Sequence, residues 1–230
     1  HVGAEALPDQ VALAKHAAAA GAAAIAAMPP TFNKPGGVEG VMELLEVLAA
    51  AAPATPLYYY HIAIKTGVAI RCDKLLEAVA ARPDRVPTFR GIKFTDFDMH
   101  IYANCVAFGG GAYDILSGRD EVLLAALAMG ATGAVGSTYN YAGRLYNALI
   151  AAFRAGDMKE ALRLQRLSQA SIDLLLSSDY GTGVNIGKAT MEHRLGGKHT
   201  GPPRYPARAM EPAAKARLHA DLDAIGFFSW

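Results

Sequence analysis

Arg90-Gly91-Ile92-Lys93-Phe94-Thr95 reads as a short buried strand whose carboxyl end carries a lysine. An amine in such a place is either badly packed or a nucleophile. A partly desolvated ammonium gives up its proton more readily, and the free amine can attack a carbonyl to form a Schiff base. Most lysines are solvated surface charges, so the flanking segments have to decide between the two.

Outward from this strand, helical and strand patterns alternate. Strands are expected at Ala23–Met28, Pro56–His61, Phe89–Phe94, Tyr113–Ser117 and Ala131–Gly136. Helices are expected at Pro8–Ala20, Gly37–Ala51, Asp73–Arg82, Asp98–Phe108, Glu121–Met129 and Ala142–Ala155. The helix from Gly37 carries Val41, Leu44, Leu45 and Leu48 at helical spacing. Alternation with short connections predicts parallel strands joined by helical crossovers, and strands without strict polar alternation predict helices over the sheet. After Gly156 the pattern becomes helical throughout. Asp157 and Glu160 resemble a capping pair ahead of a helix to about Ser177, and helices follow near Val184–Leu195 and Glu211–Ala224. A rigid turn, Gly201-Pro202-Pro203-Arg204-Tyr205-Pro206, lies between the last two.

Composition excludes several classes of function. The 230 residues are 52% hydrophobic, enough for a full core, and the net charge of +1 favours neither nucleic acid nor an anionic membrane. The apolar stretch Ala17–Met28 contains Gly21 and stops at Pro29-Pro30, so it predicts a helix end and a strand rather than a membrane span. Nothing reads as a signal peptide. Cys72 and Cys105 show no metal-ligand spacing and no disulfide framework, which points to a reducing compartment and a cytoplasmic home. No His/Cys/Asp cluster suggests a metal. His16, His100, His193, His199 and His219 are assigned to solvent or structure.

Open sheets and closed barrels both gather ligands at the carboxyl ends of their strands. That rule selects Tyr60 and His61, then Lys93 and Thr95, then Gly118, Asp120 and Glu121, and finally Ser137 and Thr138.

These segments resemble the dihydrodipicolinate synthase and pyruvate-dependent class I aldolase family. The matching motifs are Tyr58-Tyr59-Tyr60-His61-Ile62 with Thr66-Gly67, then Gly91-Ile92-Lys93-Phe94-Thr95-Asp96. Ser117-Gly118-Arg119-Asp120-Glu121, Gly133-Ala134-Val135-Gly136-Ser137-Thr138-Tyr139-Asn140 and Gly201-Pro202-Pro203-Arg204 follow in the same order. The resemblance runs across nearly the whole chain. It implies an α/β fold, a (β/α)8 TIM barrel with a C-terminal helical extension, divided as 1–156 and 157–230. By that template His1-Val2-Gly3-Ala4 corresponds to the end of the third strand. The first two strands and most of the third are then lacking, as is the loop that holds the pyruvate carboxylate. Such a barrel takes about 250 residues, so the chain is expected to belong to a longer protein.

The implied activity is reversible aldol cleavage of a 2-keto sugar acid of the sialic acid type, without a cofactor. Lys93 would form the imine and Tyr60 would relay the proton. Thr95 would orient Tyr60 or substrate, Gly118 would allow close backbone approach, Asp120 and Glu121 would bind the polyol, and Ser137 would contact a hydroxyl or amide. Ala63 stands where the sialic acid branch carries a proline, which would loosen that loop. Lys65 stands where the synthase branch grips a substrate carboxylate with arginine, and is the specificity candidate. Phe32 stands where the synthases place a tyrosine that reaches a neighbouring subunit. The partner is a small keto acid or sugar acid, and a homo-oligomer, a tetramer, is implied. Two other readings stand beside this one: a related aldolase or synthase acting on another aldehyde, and a truncated, non-catalytic barrel.

Overall fold

The computed structural model of the chain describes residues 1–177, 183–198 and 200–230; His199 lies outside them. The chain forms two compact units, His1–Arg119 with Ala125–Val135, and Asp120–Leu124 with Gly136–Trp230.

In the first unit, β1 (Ile25–Ala27), β2 (Leu57–His61), β3 (Phe89–Phe94) and β4 (Asp114–Ser117) pair in parallel in sequence order. Sequential order without reversal is the wall of a barrel, whereas a doubly wound sheet changes direction. The segment Ala131–Gly136, expected as a strand, instead makes a single bridge, Ser117 to Ala134. Ser117 N donates to Gly133 O at 3.1 Å and Val135 N to Ser117 O at 2.8 Å. Glycines at 133 and 136 weaken a strand on both sides of the bridge.

The helices α1 (Leu7–Ala19), α2 (Gly37–Ala51), α3 (Ala63–Thr66), α4 (Cys72–Ala81), α5 (Met99–Ala107) and α6 (Leu123–Ala128) alternate with the strands, α1 ahead of β1 and both α3 and α4 after β2. α2 keeps its expected limits, because Gly36 and Gly37 open it, Val41, Leu44, Leu45 and Leu48 form one buried stripe, and Pro53 lies just beyond its end. Asp98 caps α5, its side chain accepting from Ile101 N at 3.0 Å. The four longer of the first five helices cover one face of the sheet. Ala14 of α1, Leu45 and Leu48 of α2, Leu75 and Leu76 of α4 and Tyr102 of α5 share a core with Ile25, Leu57, Tyr59, Ile92, Phe94 and Ile115. Burial of each such aliphatic or aromatic side chain contributes about 1.5–3 kcal/mol. Both cysteines are free and buried; Cys72 and Cys105 belong to this same core.

The other face carries Tyr58, Tyr60, Lys93, Asp114 and Leu116, all half-buried. Two features set it out. The β2–β3 ladder shifts register after Leu57↔Phe89, so that Tyr58 pairs with Gly91 and Tyr60 with Lys93. Gly91 lets the β4 backbone close in: a Cβ there would lie 1.8 Å from Asp114 O. Across this gap Tyr58 Oη donates to Asp114 Oδ2 at 3.2 Å.

The second unit contains α7 (Tyr139–Arg154), α8 (Met158–Leu176), α9 (Gly183–Arg194) and α10 (Pro212–Ala224). Asp157 caps α8 as expected, accepting from Glu160 N at 3.0 Å. Glu160 does not return the bond, and its carboxylate pairs with Arg163 at 2.7 Å. Among the described residues no helix is long and apolar enough to cross a membrane.

Candidate active site

In the first unit the chemistry-bearing side chains lie at the carboxyl ends of β2 and β3. Tyr60 and Lys93 are register partners, and Lys93 Nζ lies 3.9 Å from the centroid of the Tyr60 ring. Both are half-buried. Thr95 is two residues beyond Lys93 and therefore projects to the same side. Its backbone N–H donates to His61 O at 2.8 Å, which holds the end of β3 against β2. Thr95 Oγ1 is buried and has no hydrogen-bond partner among the described residues. A buried hydroxyl without a partner is unfavourable by roughly 1–3 kcal/mol, so Thr95 Oγ1 has hydrogen-bonding capacity left to fill. Gly118 makes room for it: a Cβ at 118 would lie 2.0 Å from Thr95 Oγ1. An amine, a phenol and an unsatisfied hydroxyl thus share one strand-end surface, the set that imine formation and proton transfer require.

His61 and Lys65 stand apart from that set. His61 projects with Tyr59 into the helix-covered core and is 3% exposed. Its ring lies 5.5 Å from that of Phe94, and its Nε2 is 3.6 Å from Asp96 Oδ2. Lys65 is exposed on α3. The loop that Ala63 was expected to loosen is this helical turn, closed by Gly67 at φ +67°. Ala63 occupies the first helical position, where the backbone N–H needs no intrahelical acceptor.

Burial pushes the His61 pKa below its usual 6.5, and Asp96 opposes the shift only in part. The neutral ring is the form that suits the fold. Below about 6.5 the unfolded chain binds the proton more readily, so stability is full above that pH and is lost as the pH falls toward the depressed folded value. Melting temperature is therefore expected to fall between pH 7 and 5, and the slope to flatten in His61→Leu. An unchanged slope in that variant would exclude His61 as the source. His219 in the second unit is depressed likewise, by burial, and supplies a residual slope. Glu39 and Asp73, both lowered to about 2, act only at lower pH.

In the second unit Asp120 begins a single 3₁₀ turn, Asp120–Val122, and is 5% exposed. Its Oδ2 accepts from Thr138 N at 3.0 Å and from Thr138 Oγ1 at 2.5 Å. Gln165 of α8 donates to Asp120 O and Glu121 O, both at 3.1 Å, and accepts from Leu124 N at 2.8 Å. Glu121 is half-buried, and Ser137, just ahead of α7, is exposed. Thr138, Tyr146, Gln165 and Ser168 were not singled out as anchors of this turn. The sequence signal was faint: polar residues on otherwise apolar helix stripes, as at Gln165 and Ser168 beside Leu164 and Ile172.

Comparison with known proteins fits this arrangement. The profile of the Dihydrodipicolinate synthetase family matches residues 1–225. N-acetylneuraminate lyase of Sus scrofa is 44% identical over 232 residues, spanning 99% of this chain and 70% of its own length. The solved N-acetylneuraminate lyase of Proteus mirabilis is 38% identical and superposes with a TM-score of 0.89 over 99% of this chain and 74% of that one. For N-acetylneuraminate lyase (sialic acid aldolase) from Aliivibrio salmonicida the values are 35% and 0.90, over 99% and 73%.

Proposed function

The chain belongs to the Dihydrodipicolinate synthetase family, and from that premise we propose that it cleaves N-acetylneuraminate to N-acetylmannosamine and pyruvate. It is a carbon–carbon lyase of the aldolase type on a TIM-barrel α/β fold, as its similarity to N-acetylneuraminate lyases supports. The observation that carries the proposal is the pairing of Lys93 with Tyr60, with the amine nitrogen 3.9 Å from the ring centroid.

The Lys93 amine adds to the C2 carbonyl, and the adduct loses water to give an imine. Once protonated, the imine accepts the electron pair of the C3–C4 bond. The C4 hydroxyl proton leaves through Tyr60 as that bond breaks and the aldehyde forms. The remaining enamine takes a proton at C3, and water releases pyruvate and restores the amine. Thr95 offers its unpartnered hydroxyl to Tyr60 or substrate, and Gly118 leaves space beside it. Asp120 and Glu121 bind polyol hydroxyls, Ser137 meets a hydroxyl or the amide, and Lys65 tunes the preference for acidic groups. The two buried free thiols suit a reducing cytoplasm, and a homotetramer is what the family resemblance implies.

The test is incubation with pyruvate and borohydride, followed in a separate sample by N-acetylneuraminate. Expected are a reduced pyruvyl adduct on Lys93 and release of N-acetylmannosamine. An adduct without sugar cleavage would remove the lyase reading and keep the aldolase chemistry.

A further inference from the structure

Behind Asp120 lies a chain of buried hydroxyls. Thr138 Oγ1 is 2.5 Å from Tyr146 Oη, which is 2.8 Å from Ser168 Oγ. Thr138, Tyr146 and Ser168 are 5%, 2% and 0% exposed. Counting protons gives this chain a direction. Thr138 has one hydroxyl proton and donates it to Asp120 Oδ2. Towards Tyr146 it can then only accept, so Tyr146 donates. Tyr146 in turn has no proton left for Ser168, so Ser168 donates to it. Three O–H dipoles therefore point one way and end on a single carboxylate oxygen, an arrangement in which each bond polarises the next. Burial pushes the Tyr146 phenol up to about 12, so it keeps the proton that the chain needs.

The other carboxylate oxygen takes no part in this chain. Asp120 Oδ1 is buried and has no hydrogen-bond partner among the described residues. A Cβ on Gly136 would lie 1.6 Å from Oδ1, so any side chain there would displace the carboxylate. Tyr139 Oη, which also makes no hydrogen bond of ordinary length among the described residues, faces Asp120, and burial first, then the Asp120 charge and a weak hydrogen bond to it, raise its pKa well above the ordinary phenol value.

We propose that the Ser168–Tyr146–Thr138 chain is a positioning device that locks the rotamer of Asp120 by occupying Oδ2, and thereby presents Oδ1 as the acceptor for one hydroxyl of a polyol substrate. The inference rests on the reading of Asp120 as a polyol-binding residue. It makes α7 and α8 determinants of substrate length: they hold an acceptor that only a substrate with a hydroxylated tail can use, and they take no part in imine formation.

The test compares Tyr146→Phe, Ser168→Ala, Thr138→Val and Thr138→Ser on two substrates, N-acetylneuraminate and a short 4-hydroxy-2-oxo acid without the polyol tail. Tyr146→Phe and Thr138→Val are expected to raise KM for N-acetylneuraminate roughly 10-fold, the equivalent of about one hydrogen bond, with kcat within about 2-fold. Thr138→Ser, which keeps the hydroxyl, restores KM, and Ser168→Ala falls between. The short acid and borohydride trapping of pyruvate are expected to be unaffected by all four. Equal losses on both substrates, or no change in KM, would overturn the proposal. A wild-type protein that traps no pyruvate would instead remove the aldolase reading beneath it, and the two failures are thus separable. Should Tyr146→Phe fold poorly, the Thr138→Val and Thr138→Ser pair decides alone.

Discussion

Lys93→Met is expected to abolish borohydride trapping of pyruvate and to lower kcat/KM for sugar-acid cleavage by on the order of 10⁴ or more, the scale on which enzymes lose activity with their nucleophile. Methionine keeps an unbranched, adaptable stem on the half-buried face of β3 and removes only the amine. The fold should hold, because among the described residues the Lys93 amine makes no hydrogen bond or ion pair, and its side-chain contact is with the Tyr60 ring. Mass spectrometry after reduction, a coupled cleavage assay and a melting curve read the three quantities independently. Lys93→Arg is a useful companion: it keeps a cation beside Tyr60 but cannot form the imine. An adduct that persists on another lysine in either variant, Lys65 included, would end the assignment of Lys93.

Tyr60→Phe is expected to lower kcat about 10²- to 10⁴-fold, the usual contribution of a positioned proton-transfer group, while pyruvate still traps on Lys93. Phenylalanine preserves the ring face on which Nζ rests at 3.9 Å, so the geometry of the amine survives the change. KM should move little. If trapping disappears together with cleavage, Tyr60 positions Lys93 rather than relaying a proton. If kcat is retained, the relay belongs to another group. Thr95, whose hydroxyl is buried and has no partner among the described residues, is then a candidate.

Much of the frame that carries the candidate site was legible in the chain because strand and helix patterning is local. Phe89–Phe94 and Gly37–Ala51 keep their expected limits, and the tyrosine-rich strand was found to within a residue. The elements that went unread are of two kinds. Ala63–Thr66 is one helical turn, too short for a 3.6-residue period to register. The bonds that anchor Asp120 join residues separated by 18 to 45 positions, so no window of sequence contains them. Three adjacent tyrosines also concealed their division of labour: Tyr59 is in the core, Tyr58 reaches Asp114 and Tyr60 meets the amine. Alternation requires that neighbours point opposite ways, but which neighbour faces the helices is decided by the packing around them.

Arg90 has a consequence out of proportion to its exposed side chain. Phe89 and Ile92 both enter the helix-side core although they lie an odd number of positions apart, because Arg90 is the surplus residue at the bulge. Had the ladder continued evenly from Leu57↔Phe89, His61 would stand opposite Lys93, and the amine would emerge among hydrocarbon beside Tyr59. One unpaired residue therefore switches the parity of the strand and decides on which side of the wall the nitrogen appears. For anyone redesigning this wall, the number of residues between Phe89 and Lys93 is a stricter constraint than their identity.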